Sequence, residues 1–148
     1  NVPLQSERGY HLELRKTNIE LKYPLFNGYL KLAIAPKPNG IRFAGLVEFG
    51  SLKSKPNSKA YNLLMKNAES MFPGISYEEK SEWSGHRPAT IDSLPLIGKS
   101  PLDEKVFFAY GHHHIGLTAG PKTGEILTKS ILRDNDQEDL SPYSPNRY

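Results

Sequence analysis

Apolar and polar residues alternate from Gly9 to Leu14, where Tyr10, Leu12 and Leu14 are separated by His11 and Glu13. A period of two predicts a half-buried β-strand. Tyr29–Ala35 is a second predicted strand, closed by Pro36-Lys-Pro-Asn-Gly40. That pentapeptide fixes φ at its prolines and gives an easy left-handed φ at Asn-Gly, so it reverses the chain. The predicted return strand, Ile41–Phe49, places Ile41, Phe43, Gly45, Val47 and Phe49 on one face and Arg42, Ala44, Leu46 and Glu48 on the other. Together these form a long antiparallel hairpin. Glu48 reads as an exposed or ion-paired carboxylate, with a pocket position as the alternative.

Residues 57–71 change period, with Ala60, Leu63, Leu64, Ala68 and Met71 on one helical face and Lys59, Lys66 and Asn67 elsewhere. Pro73-Gly74 ends that helix. Alternation returns over Ile75–Trp83, a predicted strand. Val106–Tyr110 is a short apolar run of the kind buried on both faces of a sheet. A second helix is predicted from Leu117 to about Leu132, with Pro121 compatible only with its first turn. Residues 134–148 read as a surface tail with two Ser-Pro turns. The elements define an α+β chain, mostly antiparallel sheet with helices, ending in a strand–loop–helix.

Two stretches escape simple periodicity. Trp83-Ser-Gly-His-Arg-Pro-Ala-Thr-Ile-Asp-Ser-Leu-Pro-Leu-Ile-Gly98 sets a guanidinium, Arg87, between Gly85 and Pro88. Pro88 holds the preceding backbone extended, and a guanidinium so directed suits bidentate binding of a carboxylate. An ion pair with Asp92 is the alternative. In Tyr110-Gly-His-His-His-Ile-Gly-Leu-Thr118, an apolar strand runs through a short loop into a helix start. Unpaired N–H groups and the positive end of the helix dipole then converge on one point, suited to an anion or to an atom that becomes anionic. An ordinary turn with incidental histidines is the alternative. Three adjacent imidazoles invite a metal, yet neighbours on an extended chain point to opposite faces, and no further ligand spacing completes a shell.

Composition narrows the classes. The 148 residues suffice for one domain with a core, and 19 Lys+Arg against 16 Asp+Glu leave a net charge of only +3 without a dense basic run. A nucleic-acid partner is therefore not expected. The absence of cysteine rules out disulfides and thiol catalysis and fits a reducing compartment. No stretch approaches the ~20 apolar residues of a membrane span, and no signal peptide is visible. No strand leads into Gly-x-Gly-x-x-Gly, and Gly120-Pro-Lys-Thr-Gly124 lacks the spacing of a phosphate loop. The opening Asn1-Val-Pro-Leu-Gln reads as the middle of a longer polypeptide.

The two stretches, in order with Gly120-Pro-Lys-Thr-Gly124, resemble the carboxy-terminal part of FAD-dependent D-amino-acid dehydrogenases and oxidases. Arg8-Gly-Tyr-His-Leu12, Gly40-Ile-Arg-Phe-Ala-Gly-Leu-Val-Glu-Phe49 and Leu140-Ser-Pro-Tyr-Ser-Pro-Asn-Arg-Tyr148 extend the resemblance over nearly the whole chain. It implies that residues 1–96 end a substrate-binding domain and that residues 97–148 return to complete an FAD-binding domain. The dinucleotide fingerprint of such proteins lies near their amino terminus. The resemblance therefore implies a fragment, inactive alone, whose partner is the amino-terminal FAD-binding portion of the same protein.

The implied reaction is oxidation of a D-amino acid to an imine, hydrolysed to a 2-oxo acid and ammonia, with hydride passing to FAD. By the resemblance, Arg87 grips the substrate carboxylate and His114 lies near the substrate. Gly111, His112, His113, Ile115, Gly116, Leu117 and Thr118 lie against the flavin. No residue is assigned a covalent or acid–base catalytic role, and no metal is implied. His113 departs from the pattern, because glycine is common there in the dehydrogenase branch. A left-handed histidine would carry a strain of about 1 kcal/mol. Leu32-Ala-Ile-Ala35 stands where some relatives have a carboxylate-binding tyrosine. Alternatives are a glycine, sarcosine or hydroxyproline oxidase of the same family, a non-catalytic carboxylate- or protein-binding module, and a small histidine-rich metal protein. The implied location is cytoplasmic or peripheral at the inner face of the membrane, which leaves open a membrane electron acceptor and an oligomer.

Overall fold

The computed structural model describes residues 2–132 and 139–148. Its strands are β1 (Leu4–Arg15), β2 (Leu25–Asn27), β3 (Leu32–Lys37), β4 (Gly40–Phe49), β5 (Glu79–Thr90), β6 (Leu96–Lys99) and β7 (Phe107–Tyr110). Its helices are α1 (Ser58–Met71) and α2 (Gly116–Leu132), followed by 3₁₀ turns at Ser141–Tyr143 and Pro145–Arg147. One sheet has the order β2-β3-β4-β1-β5, and β6 pairs with β7 in a second. The fold is α+β, as the sequence pattern predicts. Two compact units divide the chain, one of Arg8–His86 and one of Asn1–Glu7 with Arg87–Tyr148.

In the Arg8–His86 unit Tyr10, Leu12 and Leu14 are buried, as the alternation of β1 predicts, together with Leu32, Ile34, Ile41, Phe43, Leu64 and Ala68. The strand is more than half-buried, because Glu13 on its other face is covered as well, paired with Arg15 and Arg42. The hairpin turn is tighter than predicted, because Lys37 pairs with Gly40 across only Pro38-Asn39. The face assigned to β4 holds only as far as Phe43. Gly45 has φ +149° and passes so close to Lys31 that a Cβ would lie 2.0 Å from its carbonyl oxygen. Beyond it the inward face changes, so that Leu46 packs on the core while Val47 and Phe49 are exposed.

Helix α1 is capped by the Asn57 side chain, which accepts from the N–H of Lys59. It buries Leu64, Asn67 and Ala68 and leaves Leu63 exposed, a rotation from the predicted face. Residues 75–78 are not strand. Extended structure begins at Glu79 and continues through Pro88 to Thr90, so the first half of the aperiodic stretch is itself β5.

In the other unit, β6 and β7 pair antiparallel from Leu96↔Tyr110 to Lys99↔Phe107. Leu96 and Ile97 are buried, but β7 is only half-buried and Ala109 is exposed, unlike the predicted doubly covered strand. Helix α2 starts before Leu117, which puts Pro121 beyond the first turn. The proline there has no N–H for the Leu117 carbonyl. The described part of the tail is packed rather than merely superficial: Pro145 is buried, with its Cδ 3.4 Å from where a Cβ on Gly98 would stand. Residues 134–138 of the predicted tail lie outside the described residues.

Candidate functional site

Arg87 is half-buried on β5, and its Nη1 is buried with no hydrogen-bond partner among the described residues. An unsatisfied guanidinium nitrogen is costly, and an added carboxylate would satisfy it. Asp92, the acidic partner considered for Arg87, is engaged elsewhere. Arg147 donates from Nε to Asp92 Oδ2 at 2.6 Å, from Nη2 to Oδ1 at 3.3 Å, and from Nη2 to the Leu94 carbonyl at 2.5 Å. These bonds, with the backbone N–H of Leu94, hold the Asp92 carboxyl well below the usual carboxylate range.

The strand–loop–helix arises as predicted, with β7 ending at Tyr110 and α2 starting at Gly116. Gly111 has φ +85°, and a Cβ there would meet Thr90 Cγ2 at 2.9 Å. Only glycine both reaches that conformation easily and lets the loop pass so close to β5. The three histidines diverge. His112 Nε2 lies 2.9 Å from the hydroxyl of buried Thr123, and its main chain bridges Ala89. His113 adopts φ +51° and turns inward, accepting from the Thr90 N–H at Nε2 (3.2 Å) while Nδ1 faces Glu7 Oε1 at 3.5 Å. His114 is exposed. Among the described residues no group of three His, Cys, Asp or Glu side chains is placed to hold a metal.

Beyond the histidines, Ile115, Leu117 and Thr118 are exposed, and Leu117 is 96% so. The first N–H groups of a 17-residue helix stand beside these apolar side chains. A planar, partly anionic ring system fits such a surface: the helix start favours negative charge and the apolar groups cover a face. Glu7, Thr90, Thr123 and Arg147 escaped sequence reasoning. Their partners are distant along the chain, and no local spacing marks them.

The other unit holds a different polar cluster. Arg8, 4% exposed, donates to Glu48 Oε2 (3.3 Å), the Lys55 carbonyl (2.7 Å) and the Ser54 carbonyl (2.5 Å), and reaches His86 Nε2 from both Nε and Nη2. Tyr10 also donates its hydroxyl proton to Glu48. Glu48 is thus the ion-paired carboxylate of the first sequence reading. An open depression of ≈ 830 Å³ in this unit is lined by Arg15, Lys16 and Arg42, but Glu13, Glu78 and Glu79 pair with those cations.

A profile of the FAD dependent oxidoreductase (DAO) family matches residues 1–130, and the chain belongs to that family. It is 30% identical over 151 aligned positions to a D-amino-acid oxidase of Bradyrhizobium diazoefficiens, covering 99% of this chain and 36% of the relative. A D-amino acid dehydrogenase of Neisseria gonorrhoeae is 34% identical, covering 93% of this chain and 33% of its own length. The chain thus spans about a third of these relatives. The crystal structure of glycine oxidase from Geobacillus kaustophilus superposes with a TM-score of 0.83 at 23% identity, over 100% of this chain and 40% of that one. That likeness bears on the fold.

Proposed function

We propose that this chain supplies the carboxylate-binding arginine and the flavin-facing loop of an FAD-dependent oxidoreductase that acts on D-amino acids, most like a D-amino-acid dehydrogenase. The observation behind this reading is the buried, unpartnered Nη1 of Arg87. The chemistry supplied by bound FAD is two-electron oxidation of the amino acid's Cα–N bond to an imine, which water hydrolyses to a 2-oxo acid and ammonia. Arg87 binds and orients the substrate carboxylate, so that Cα–H is held in one direction. Exposed His114 stands beside the substrate as a hydrogen-bonding group.

Gly111, His112, His113, Ile115, Gly116, Leu117 and Thr118 belong to the segment that receives the flavin: Ile115, Leu117 and Thr118 are exposed on it, and Gly111, His112 and His113 hold it from inside. The helix start favours negative charge there, and Ile115 and Leu117 exclude water. The remaining FAD contacts belong to an amino-terminal portion, and this chain alone is inactive. Among the described residues no helix is long and apolar enough to cross a membrane. A cytoplasmic or peripheral inner-membrane location, with an electron acceptor there, belongs to the same proposal.

The test is steady-state kinetics of the full-length protein with Arg87→Ala and Arg87→Lys. The reading expects Arg87→Ala to raise KM and lower kcat/KM more than tenfold, about 1.4 kcal/mol or more, with partial recovery in the lysine variant. Unchanged kinetics would remove Arg87 from the site. A screen of D-amino acids against glycine and sarcosine separates the dehydrogenase reading from the oxidases of smaller substrates.

A further inference from the structure

His113 occupies a backbone conformation that favours glycine, φ +51°, and its side chain is 9% exposed. Two polar neighbours account for its being there. The main-chain N–H of Thr90 points at Nε2, 3.2 Å away. Nδ1 faces Glu7 Oε1 at 3.5 Å. The Thr90 hydroxyl lies 3.2 Å from the same Nε2 and gives its proton to the Leu94 carbonyl at 2.8 Å. Thr90 is itself 4% exposed, a fixed point on β5.

We infer that His113 is a positioning residue: bridged between Thr90 and Glu7, it pins the loop between β7 and α2 and sets the main chain of His114–Thr118. A glycine would reach the same φ without strain but would tie the loop to nothing. Histidine accepts the strained backbone and fastens the loop from inside. His112, with Thr123 on α2 and Ala89 on β5, supplies the neighbouring anchor. From these anchors into the first turn of α2, the exposed His114, Ile115, Leu117 and Thr118 are held ready rather than shaped on binding. The consequence for FAD rests on the proposed function; the lock itself does not.

The experiment uses the full-length protein. Nitrogen-15 NMR of labelled histidine should show the His113 ring resonances shifting in Glu7→Gln while those of His112 and His114 stay in place, and His113 resonances unmoved by Glu7→Gln overturn the bridge. Hydrogen exchange then compares wild type with His113→Gly, His113→Ala and Glu7→Gln. The lock predicts that exchange of the Thr90 amide and of residues 111–116 speeds up by about tenfold or more in the two His113 variants, less in Glu7→Gln, with the rest of the protein unchanged. Retained protection, or loss of protection throughout, overturns it. His113→Asn, which tolerates a left-handed φ, replaces a variant that does not fold.

FAD affinity should weaken with the same order of variants. Wild-type protein that shows the exchange pattern but binds no FAD would contradict the flavin reading and leave the lock standing.

Discussion

Arg147 Nε lies 2.6 Å from Asp92 Oδ2, which fastens the turn Pro145–Arg147 to the turn that follows β5. The same guanidinium binds the Leu94 and Ser144 carbonyls, so one side chain closes two loops of the unit. Arg147→Ala should therefore lower the Tm of the full-length protein and speed hydrogen exchange at residues 90–95 together with 141–148. Arg147→Lys should recover little, because one ammonium cannot reach a carboxylate and two carbonyls in a fork.

The same contact has a pH signature. Arg147 depresses the folded-state pKa of Asp92 below the ~3.9 of an unfolded aspartate. A depressed carboxylate stabilises the folded state in full above the unfolded pKa, and that stability is lost as pH falls through the folded value. Wild type should thus lose stability below about pH 4 more steeply than Asp92→Asn, while above pH 5 the variant should be uniformly weaker. Urea titrations across that range check it, and parallel curves would contradict the assignment.

Arg8 fastens residues 54 and 55 to the core sheet through two carbonyls, Glu48 and His86. Arg8→Ala removes a nearly buried charge from partners that include a part-exposed Glu48. A loss of about 2–3 kcal/mol is expected, below the full cost of breaking a wholly buried pair. Exchange should rise first over residues 50–57. Glu48→Gln keeps a hydrogen bond from Tyr10 and should cost less.

Gly45 tests the backbone account of β4. Alanine there meets both an unfavourable φ and the Lys31 carbonyl, so Gly45→Ala should destabilise by about 2–3 kcal/mol in a denaturant titration. An alanine variant as stable as wild type would show that the strand reaches the same path without its positive φ.

Periodicity carried much of the Arg8–His86 unit, because β1 and β3 turn apolar residues to a common core and write them into the sequence; α1 was legible as a helix, but its buried face is rotated from the periodic one. It failed where the backbone changes phase. Val47 and Phe49 continue the pattern of Ile41 and Phe43 on paper, but Gly45 between them turns the strand over. The Trp83–Gly98 stretch looked aperiodic because β5 carries Gly85, Arg87 and Pro88 in place of an apolar face. Arg87 and the 111–118 loop were legible as unusual residues in a resembling order. Their supports were not: Arg147 meets Asp92 from 55 residues away, and Glu7 reaches His113 from the opposite end of the chain. Local spacing holds no trace of such pairs.

The central claim is that Arg87 selects an amino-acid carboxylate for a flavin. Its most direct measurement is anaerobic mixing of the full-length FAD-loaded protein with a D-amino acid and, separately, with the corresponding amide, following loss of the oxidised flavin's visible absorption. Fast bleaching by the acid, at least ~tenfold slower bleaching by the amide, and loss of that preference in Arg87→Ala are the predicted results. Equal bleaching by acid and amide, or a preference that survives Arg87→Ala, would contradict the account.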